Sequence, residues 1–449
     1  MSKPSGAIDM TQGKPINLML RFALPMMIGS IFQSLYSMVD SAVLGRFVGS
    51  HALAAIGATT STTGLILLLA TGVTSAISIV LSQYVGANNT DRVRKGIVAS
   101  GWITLLLGVV LGLISVFAAR PLMQLLKTPE DVIDMSVLYI QIVCGCGIAQ
   151  FAYNAAASIL RALGDSKTPL YFLVFSSVLN IILDIVFIVP MHMGVAGAAW
   201  ATILSQFLSA VFSTVVGLRN FPILHLRRED FHDLKGAAVL HLKTGFPMGF
   251  QMSVMCIGQL AMQAVVNSLG TAAVAGYTAA SKADQLSVLV NNAMMTAISN
   301  YVAQNFGAGK KDRIRLGVRA SLIQTEAFNI LMCIGILLLR HPIVELFLSN
   351  PTAEIYHYSD AFLTIEAPFY FLLGLLAVYR TSIQSMQNGR APFAACMIEL
   401  VMRLAATVWL SRFLGYTAVC IASPLAWFGA IALLIPVYYR MMMKPVKTV

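Results

Sequence analysis

The sequence predicts an all-α polytopic membrane protein, with about twelve transmembrane helices arranged as two six-helix repeats. Three observations predict it. The 449 residues are 57% hydrophobic and only 11% charged, where soluble domains carry roughly 25% charged residues, and the mean hydropathy is +0.78. About twelve apolar segments reach the ~20 residues needed to cross a bilayer. The second half of the chain echoes the first.

Taken in order, the expected spans are 17–43, 52–83, 95–118, 132–162, 168–190 and 194–217, then 238–267, 272–304, 316–339, 354–387, 391–411 and 416–439. Ahead of them, Met1 to Asn17 is polar and has no apolar core with a cleavage site, so the first span is expected to stay in the protein. Basic residues gather in alternate loops. Lys3, Lys14 and Arg21 open the chain, Arg92, Arg94 and Lys95 follow span two, and Arg161 and Lys167 follow span four. Arg219, Arg227, Arg228 and Lys235 follow span six, Lys310, Lys311, Arg313 and Arg315 follow span eight, Arg390 follows span ten, and Arg440, Lys444 and Lys447 close the chain. The positive-inside rule therefore predicts that both termini are cytoplasmic. It also explains the net charge of +11 without a nucleic-acid partner. Cys144, Cys146, Cys256, Cys333, Cys396 and Cys420 all fall in apolar segments, as small packed side chains would.

The repeat is visible residue by residue. Ser82-Gln83-Tyr84-Val85-Gly86 through Gly96 reads against Ala303-Gln304-Asn305-Phe306-Gly307 through Gly317, and Pro121 against Pro342, at an offset of 221; Pro25 meets Pro247 at 222. A near-constant offset over such a length marks duplication. Six spans per repeat return the chain to the same side, so the repeats share one topology, with a site expected where they meet. The polar stretch 218–236 reads as a cytoplasmic linker, leaving an N-lobe at 1–217 and a C-lobe at 237–449.

Asp40 stands inside the first span. A carboxylate near the middle of a membrane helix costs about 2.5–3.5 kcal/mol on insertion scales, so it marks function. Gln33, Tyr36, Ser37 and Asp40 share one helical face by their spacing. Asn180 and Asp184 share a face in span five, and Thr202 opens a milder polar face in span six. Asp40 and Asp184 are the only acids well inside the first six spans, and the first half has no Lys or Arg there apart from Arg161 near an end. Two carboxylates, an amide and a hydroxyl suit a small hard cation; they could equally trade protons. Either way, the charge must be neutralised before the site closes from water.

The second half lacks this cluster. Span seven instead carries Gln251, Gln259, Gln263 and Asn267; beyond it lie Lys282, Asp284, Glu326, Glu366, Arg380, Glu399 and Arg403. Glu399 and Arg403, four apart, are expected to form an ion pair. Met27 and Met255 lie on the spans that start the two repeats, and a methionine-lined cavity suits adaptable binding. Pro25 and Pro247 lie within these spans, where a proline deletes a backbone hydrogen bond and favours a kink. No P-loop, nucleotide fold, zinc motif or nucleophile–base arrangement is present in the sequence, so neither an enzyme nor a bound cofactor is expected.

Leu24-Pro25, Gln33 through Asp40, Gly45-Arg46, Leu53 through Gly57, Leu160 through Asp165 and Asn180 through Asp184 together resemble the bacterial multidrug and toxic compound extrusion transporters. The acids at Asp40 and Asp184 are similar to those of the DinF-like branch. The resemblance implies a V-shaped pair of six-helix lobes in the bacterial inner membrane. It implies export of amphipathic, often cationic, organic compounds in exchange for Na⁺ or H⁺ by alternating access. It implies an ion site, for Na⁺ if that is the coupling ion, at Asp40, Asn180, Asp184 and Thr202. Tyr139 and Asn154 match positions near the N-lobe cavity. The expected substrate cavity takes these two with Gln33, Tyr36, Ser37, Met27, Gln251, Met255, Gln259 and Gln263. A monomer in contact with membrane lipid is expected. The competing reading, a lipid-linked precursor flippase of the same wider superfamily, predicts a more cationic cavity than this acidic first half offers.

Overall fold

The computed structural model describes residues 7–125, 128–347 and 351–444. Among them every regular element is helical: α1 (Pro15–Phe47), α2 (Ser50–Gly86), α3 (Thr90–Leu125), α4 (Glu130–Val143), α5 (Ile148–Ala162), α6 (Lys167–Ile188), α7 (Gly194–Asn220), α8 (Lys235–Ser268), α9 (Thr271–Gly307), α10 (Lys311–Phe347), α11 (Ala353–Glu366), α12 (Tyr370–Ser385), α13 (Arg390–Leu404), α14 (Ser411–Leu414) and α15 (Tyr416–Met443). Two short 3₁₀ turns, Pro222–Leu224 and Arg228–Phe231, cross the expected linker.

Ten of these helical stretches are long and apolar enough to cross a membrane; α4 with α5, bent by 41°, makes an eleventh. The expected span 132–162 is thus broken in two. The break falls at Cys144-Gly145-Cys146-Gly147, where a Cβ on Gly145 would run into the Gln141 carbonyl. The expected span 354–387 survives as Ala353–Ser385, with a 3₁₀ turn at Ala367–Phe369 around Pro368, which has no N–H to donate. Helix α9 is long enough, at 37 residues, but Lys282, Asp284, Asn291 and Asn292 make it the polar helix of the set. Counted with the others, it brings the long helical stretches to the expected twelve.

The duplication reappears in backbone angles. Gly49 (φ 110°) turns α1 into α2, and Gly270 (φ 102°) turns α8 into α9. Asn88 (φ 54°) and Gly309 (φ 70°) hold the next turn in each half; these are the residue types that enter the left-handed region at least cost.

The chain forms two compact units. The first holds residues 7–9 and 24–250, the second 10–23 and 251–444. Each unit therefore takes the opening turns of the helix that begins the other repeat: the start of α1 belongs to the second unit, and the start of α8 to the first. The exchange points lie beside Pro25 and a few residues past Pro247, and α1 and α8 run through these prolines as continuous helices. In the first unit α2, α3 and α5 bury Ile77, Val80, Leu81, Tyr84, Ile97 and Leu160 against one another. Small residues let the backbones close: a Cβ on Gly72 would lie 2.5 Å from Gly249 Cα, the close approach that drives helix packing in lipid. Helix α3 shows the resulting inversion, with Gly108, Gly112, Ser115 and Ala119 buried and Trp102, Leu106, Val109, Leu113 and Phe117 on the outside. All six cysteines are free.

Candidate functional site

In the first unit the residues singled out from sequence on α1, α6 and α7 converge. Helix α6 buries Ser176, Ser177, Asn180 and Asp184 along one face, as four-residue spacing dictates. Asp184 is fully buried and Asn180 nearly so. Asp40, on α1, is half-buried, and its carboxyl group lies close enough to that of Asp184 for the two to act directly on each other. The amide of Asn180 donates to Thr202 Oγ1 on α7 at 3.5 Å, and Thr202 in turn donates to the Ala198 carbonyl at 3.0 Å. This tether fixes the Asn180 side chain with its oxygen left over.

The oxygens of this group are under-used. Asp40 Oδ1, both carboxylate oxygens of Asp184 and Asn180 Oδ1 are buried without a hydrogen-bond partner. Among the described residues neither acid joins an ion pair. A buried carboxylate without partner is one of the costliest arrangements a fold can hold. Tyr36, from α1, and Tyr139, from α4, lie within electrostatic reach of both acids, and Gln33 bonds to Tyr36. Arg161, the one basic residue noted inside a first-half span, donates to Ser158 at 2.8 Å. One turn further along α1 and α6, Leu44 and Ile188 join Ala52, Val195 and Ala198 in an apolar cluster, with Tyr139 packed against it. The donor set of two carboxylates, an amide oxygen and a hydroxyl fits a small monovalent cation, or one or two protons.

The remaining residues expected at a substrate cavity fall some in one unit and some in the other. In the first, Met27 and Asn154 are half-buried; the side chain of Ser37 lies outside the described residues. In the second, Gln251 is buried and accepts a 2.8 Å bond from Gln384 Nε2, so its amide ties α8 to α12. Met255 sits 3.9 Å from Arg380 Nη1. Gln259 is exposed, and Gln263 donates to Asn267 at 2.8 Å.

The expected pairing of Glu399 with Arg403 does not form. Glu399 contacts Arg380 of α12 instead, both side chains being buried. Arg403 forms no ion pair among the described residues but lies within electrostatic reach of Glu366 and Asp284, and Tyr370 lies within reach of both acids. A planar guanidinium seeks the best-oriented carboxylate, and across packed helices that partner need not be four residues away. Sequence reasoning recorded these residues without seeing the cluster, because its members come from α9, α11, α12 and α13. Directly after Arg403 the chain makes a π-helical turn, Ala405–Leu410, an irregularity of the kind found often at functional sites.

Comparison with known proteins follows this geometry closely. The family model MatE matches the chain twice, over residues 25–186 and 247–409. The chain belongs to the MatE family. The two matches start at Pro25 and Pro247, the prolines that marked the repeat, and the first spans both Asp40 and Asp184. Among MatE relatives, the probable multidrug resistance protein YpnP of Bacillus subtilis is 31% identical over 427 residues, covering 94% of this chain and 91% of its own. YoeA of the same organism, also a probable multidrug resistance protein, is 30% identical over 361 residues, 79% of this chain and 77% of its own. A solved outward-facing multidrug resistance transporter of the family superposes with a TM-score of 0.90 at 22% identity, covering 99% of each chain; this likeness carries the fold. MatE proteins are membrane transporters rather than enzymes, and this chain is a polytopic member.

Proposed function

We propose that this MatE protein is an antiporter that exports amphipathic organic compounds, many of them cationic, in exchange for Na⁺ or H⁺. The multidrug names of its relatives support the substrate class. The observation that carries the coupling is the acid pair of the first unit: Asp184, fully buried, and Asp40, half-buried beside it, without an ion pair among the described residues and with the free oxygen of Asn180 next to them.

On this reading the pair cannot stay both doubly charged and shut away from water. Entry of a cation, or protonation, neutralises it and lets α1, α6 and α7 close together. Loss of the ion on the other side of the membrane restores the charge and reopens the site. Only a differential affinity between the two states can drive such a cycle, and a desolvated carboxylate pair supplies one. Asn180 and Thr202 set the spacing of the oxygens. Tyr36, Gln33, Tyr139, Asn154 and Met27 are the substrate-facing candidates of the first unit, and Gln251, Met255, Gln259 and Gln263 those of the second. The protein acts as a monomer in the bacterial inner membrane with both termini cytoplasmic, and sits nearer the DinF-like branch. The acidic interior of the first unit does not favour the flippase reading.

The test is dye efflux from liposomes under separate Na⁺ and pH gradients, with wild type set against Asp40→Asn and Asp184→Asn. Full gradient-driven efflux in both variants would falsify the carboxylate mechanism. Response to one gradient alone names the ion.

A further inference from the structure

A cavity of about 340 Å³ opens in the second unit at the joined ends of α10, α12 and α15, far along the chain from the acid pair. Arg315 and Arg319 of α10, Tyr379 of α12, and Tyr438, Tyr439 and Met442 of α15 line it. The arginines are one helical turn apart and so present their guanidinium groups on one side. Arg315 Nη2 donates to the Met442 carbonyl at 2.9 Å, which anchors its planar head at the rim. Its one acidic neighbour, Asp312 at 3.5 Å, is exposed, and such a pair contributes little. Arg319 joins no ion pair among the described residues. Tyr379 and Tyr438 meet edge to face at 5.2 Å, and Tyr438 and Tyr439 at 5.5 Å, giving the cavity a stiff aromatic wall.

Two features say what such a cavity takes. It lies at the end of the helices where Lys310, Lys311, Arg313, Arg440 and Lys444 also cluster, the level at which basic residues meet lipid phosphates. From it a stripe of exposed apolar side chains, Leu316, Ile323 and Ile330, runs down α10 at seven-residue spacing. This stripe points along the acyl region of a bilayer.

We propose that this cavity is a binding site for an anionic glycerophospholipid. The phosphate is held by Arg315 and Arg319, the headgroup lies against Tyr439, and the acyl chains follow Leu316, Ile323 and Ile330. Guanidinium forks match phosphate oxygens in geometry as well as charge.

The experiment uses the full chain purified in nonionic detergent. Native mass spectrometry reads retention of phosphatidylglycerol against phosphatidylcholine at equal concentration. Wild type is expected to prefer phosphatidylglycerol by about 30-fold, the worth of two basic groups at about 1 kcal/mol each. Arg315→Gln with Arg319→Gln is expected to lose this preference, and Arg319→Lys to keep most of it. If the double variant does not fold, Arg319→Gln alone is read, with a preference reduced by about fivefold. Equal retention of the two lipids by wild type, or an unchanged preference in the Gln variants, overturns the proposal. So does displacement of the lipid by glycerol 3-phosphate at the same concentration, which would make the site one for soluble phosphates. None of these readings depends on transport, so they stand or fall apart from the antiport mechanism.

Discussion

Asp184 on α6 and Asp40 on α1 bring their carboxyl groups together in the first unit, and both Asp184 oxygens are buried without a hydrogen bond from any other described residue. A fold keeps such a pair only at a cost in stability. Asp184→Asn should therefore leave the melting temperature in detergent unchanged or higher, because it removes a buried charge. It should also lower gradient-driven efflux by about tenfold or more, since the lost ion ligand is worth at least ~1.4 kcal/mol. A drop in both stability and efflux would mean that the acid is structural.

Cation and proton should compete for this pair. A protonated carboxylate is a poor cation ligand, so binding one Na⁺ displaces the proton that would otherwise sit there. If Na⁺ is the coupling ion, its apparent affinity should fall by about tenfold per pH unit as pH drops through the range where one proton is exchanged per ion. Calorimetry of Na⁺ binding across pH checks this. Heat that is independent of pH would show that Na⁺ binds away from the acids.

The amide and hydroxyl beside the acids serve different ends. Asn180 offers a free oxygen, whereas Thr202 holds the Asn180 amide at 3.5 Å. Thr202→Val should weaken ion binding by about threefold to tenfold through lost positioning, the range of one ordinary hydrogen bond. Asn180→Leu removes a ligand outright and should weaken it further. Equal effects would remove the distinction between ligand and tether.

The acid pair was legible in the sequence because a charge in an apolar run is conspicuous, and because Asn180 and Asp184 announce their shared face by spacing alone. The duplication was legible through Pro25 and Pro247. What lay out of reach were partners set by packing between helices. The four-residue rule sees one helix, so it joined Glu399 to Arg403, while the true partner, Arg380, stands on α12. The break at Gly145 was hidden for a similar reason: the apolar run continues through it, and only the close approach to the Gln141 carbonyl shows why no side chain fits. The exchange of opening turns between the units has no sequence signature beyond the two prolines near its crossing points.

The Arg380–Glu399 contact yields a stability prediction in the second unit. Both side chains are buried, so removing one partner strands the other. Arg380→Ala or Glu399→Ala should each cost about 3–5 kcal/mol. Replacing both with Met and Leu should recover most of that loss, because it removes the charges together. Thermal unfolding of the single and double variants in detergent reads the cycle. Additive losses would mean that the two residues do not act as a pair.

Asn88 and Gly309 test the duplication at a single backbone position. They lie 221 residues apart and turn the chain after α2 and after α9 with φ of 54° and 70°. The halves solve one geometric problem with the two residue types best suited to it: glycine has no Cβ to clash, and asparagine tolerates the left-handed region better than other side chains. The two should therefore be exchangeable. Gly309→Asn and Asn88→Gly should each change stability by less than about 1 kcal/mol, whereas a β-branched residue at either site should cost about 1–2 kcal/mol or more. The contrast matters more than either number. A turn chosen for contact with solvent would treat asparagine and valine by polarity and would show no penalty tied to branching at Cβ. A turn chosen for its backbone angle ranks the substitutions by how well each enters the left-handed region, and does so alike in both repeats. Melting temperatures of the six variants carrying Gly, Asn, Ala or Val at these two positions would show whether the repeats preserve the turn while their sites diverge.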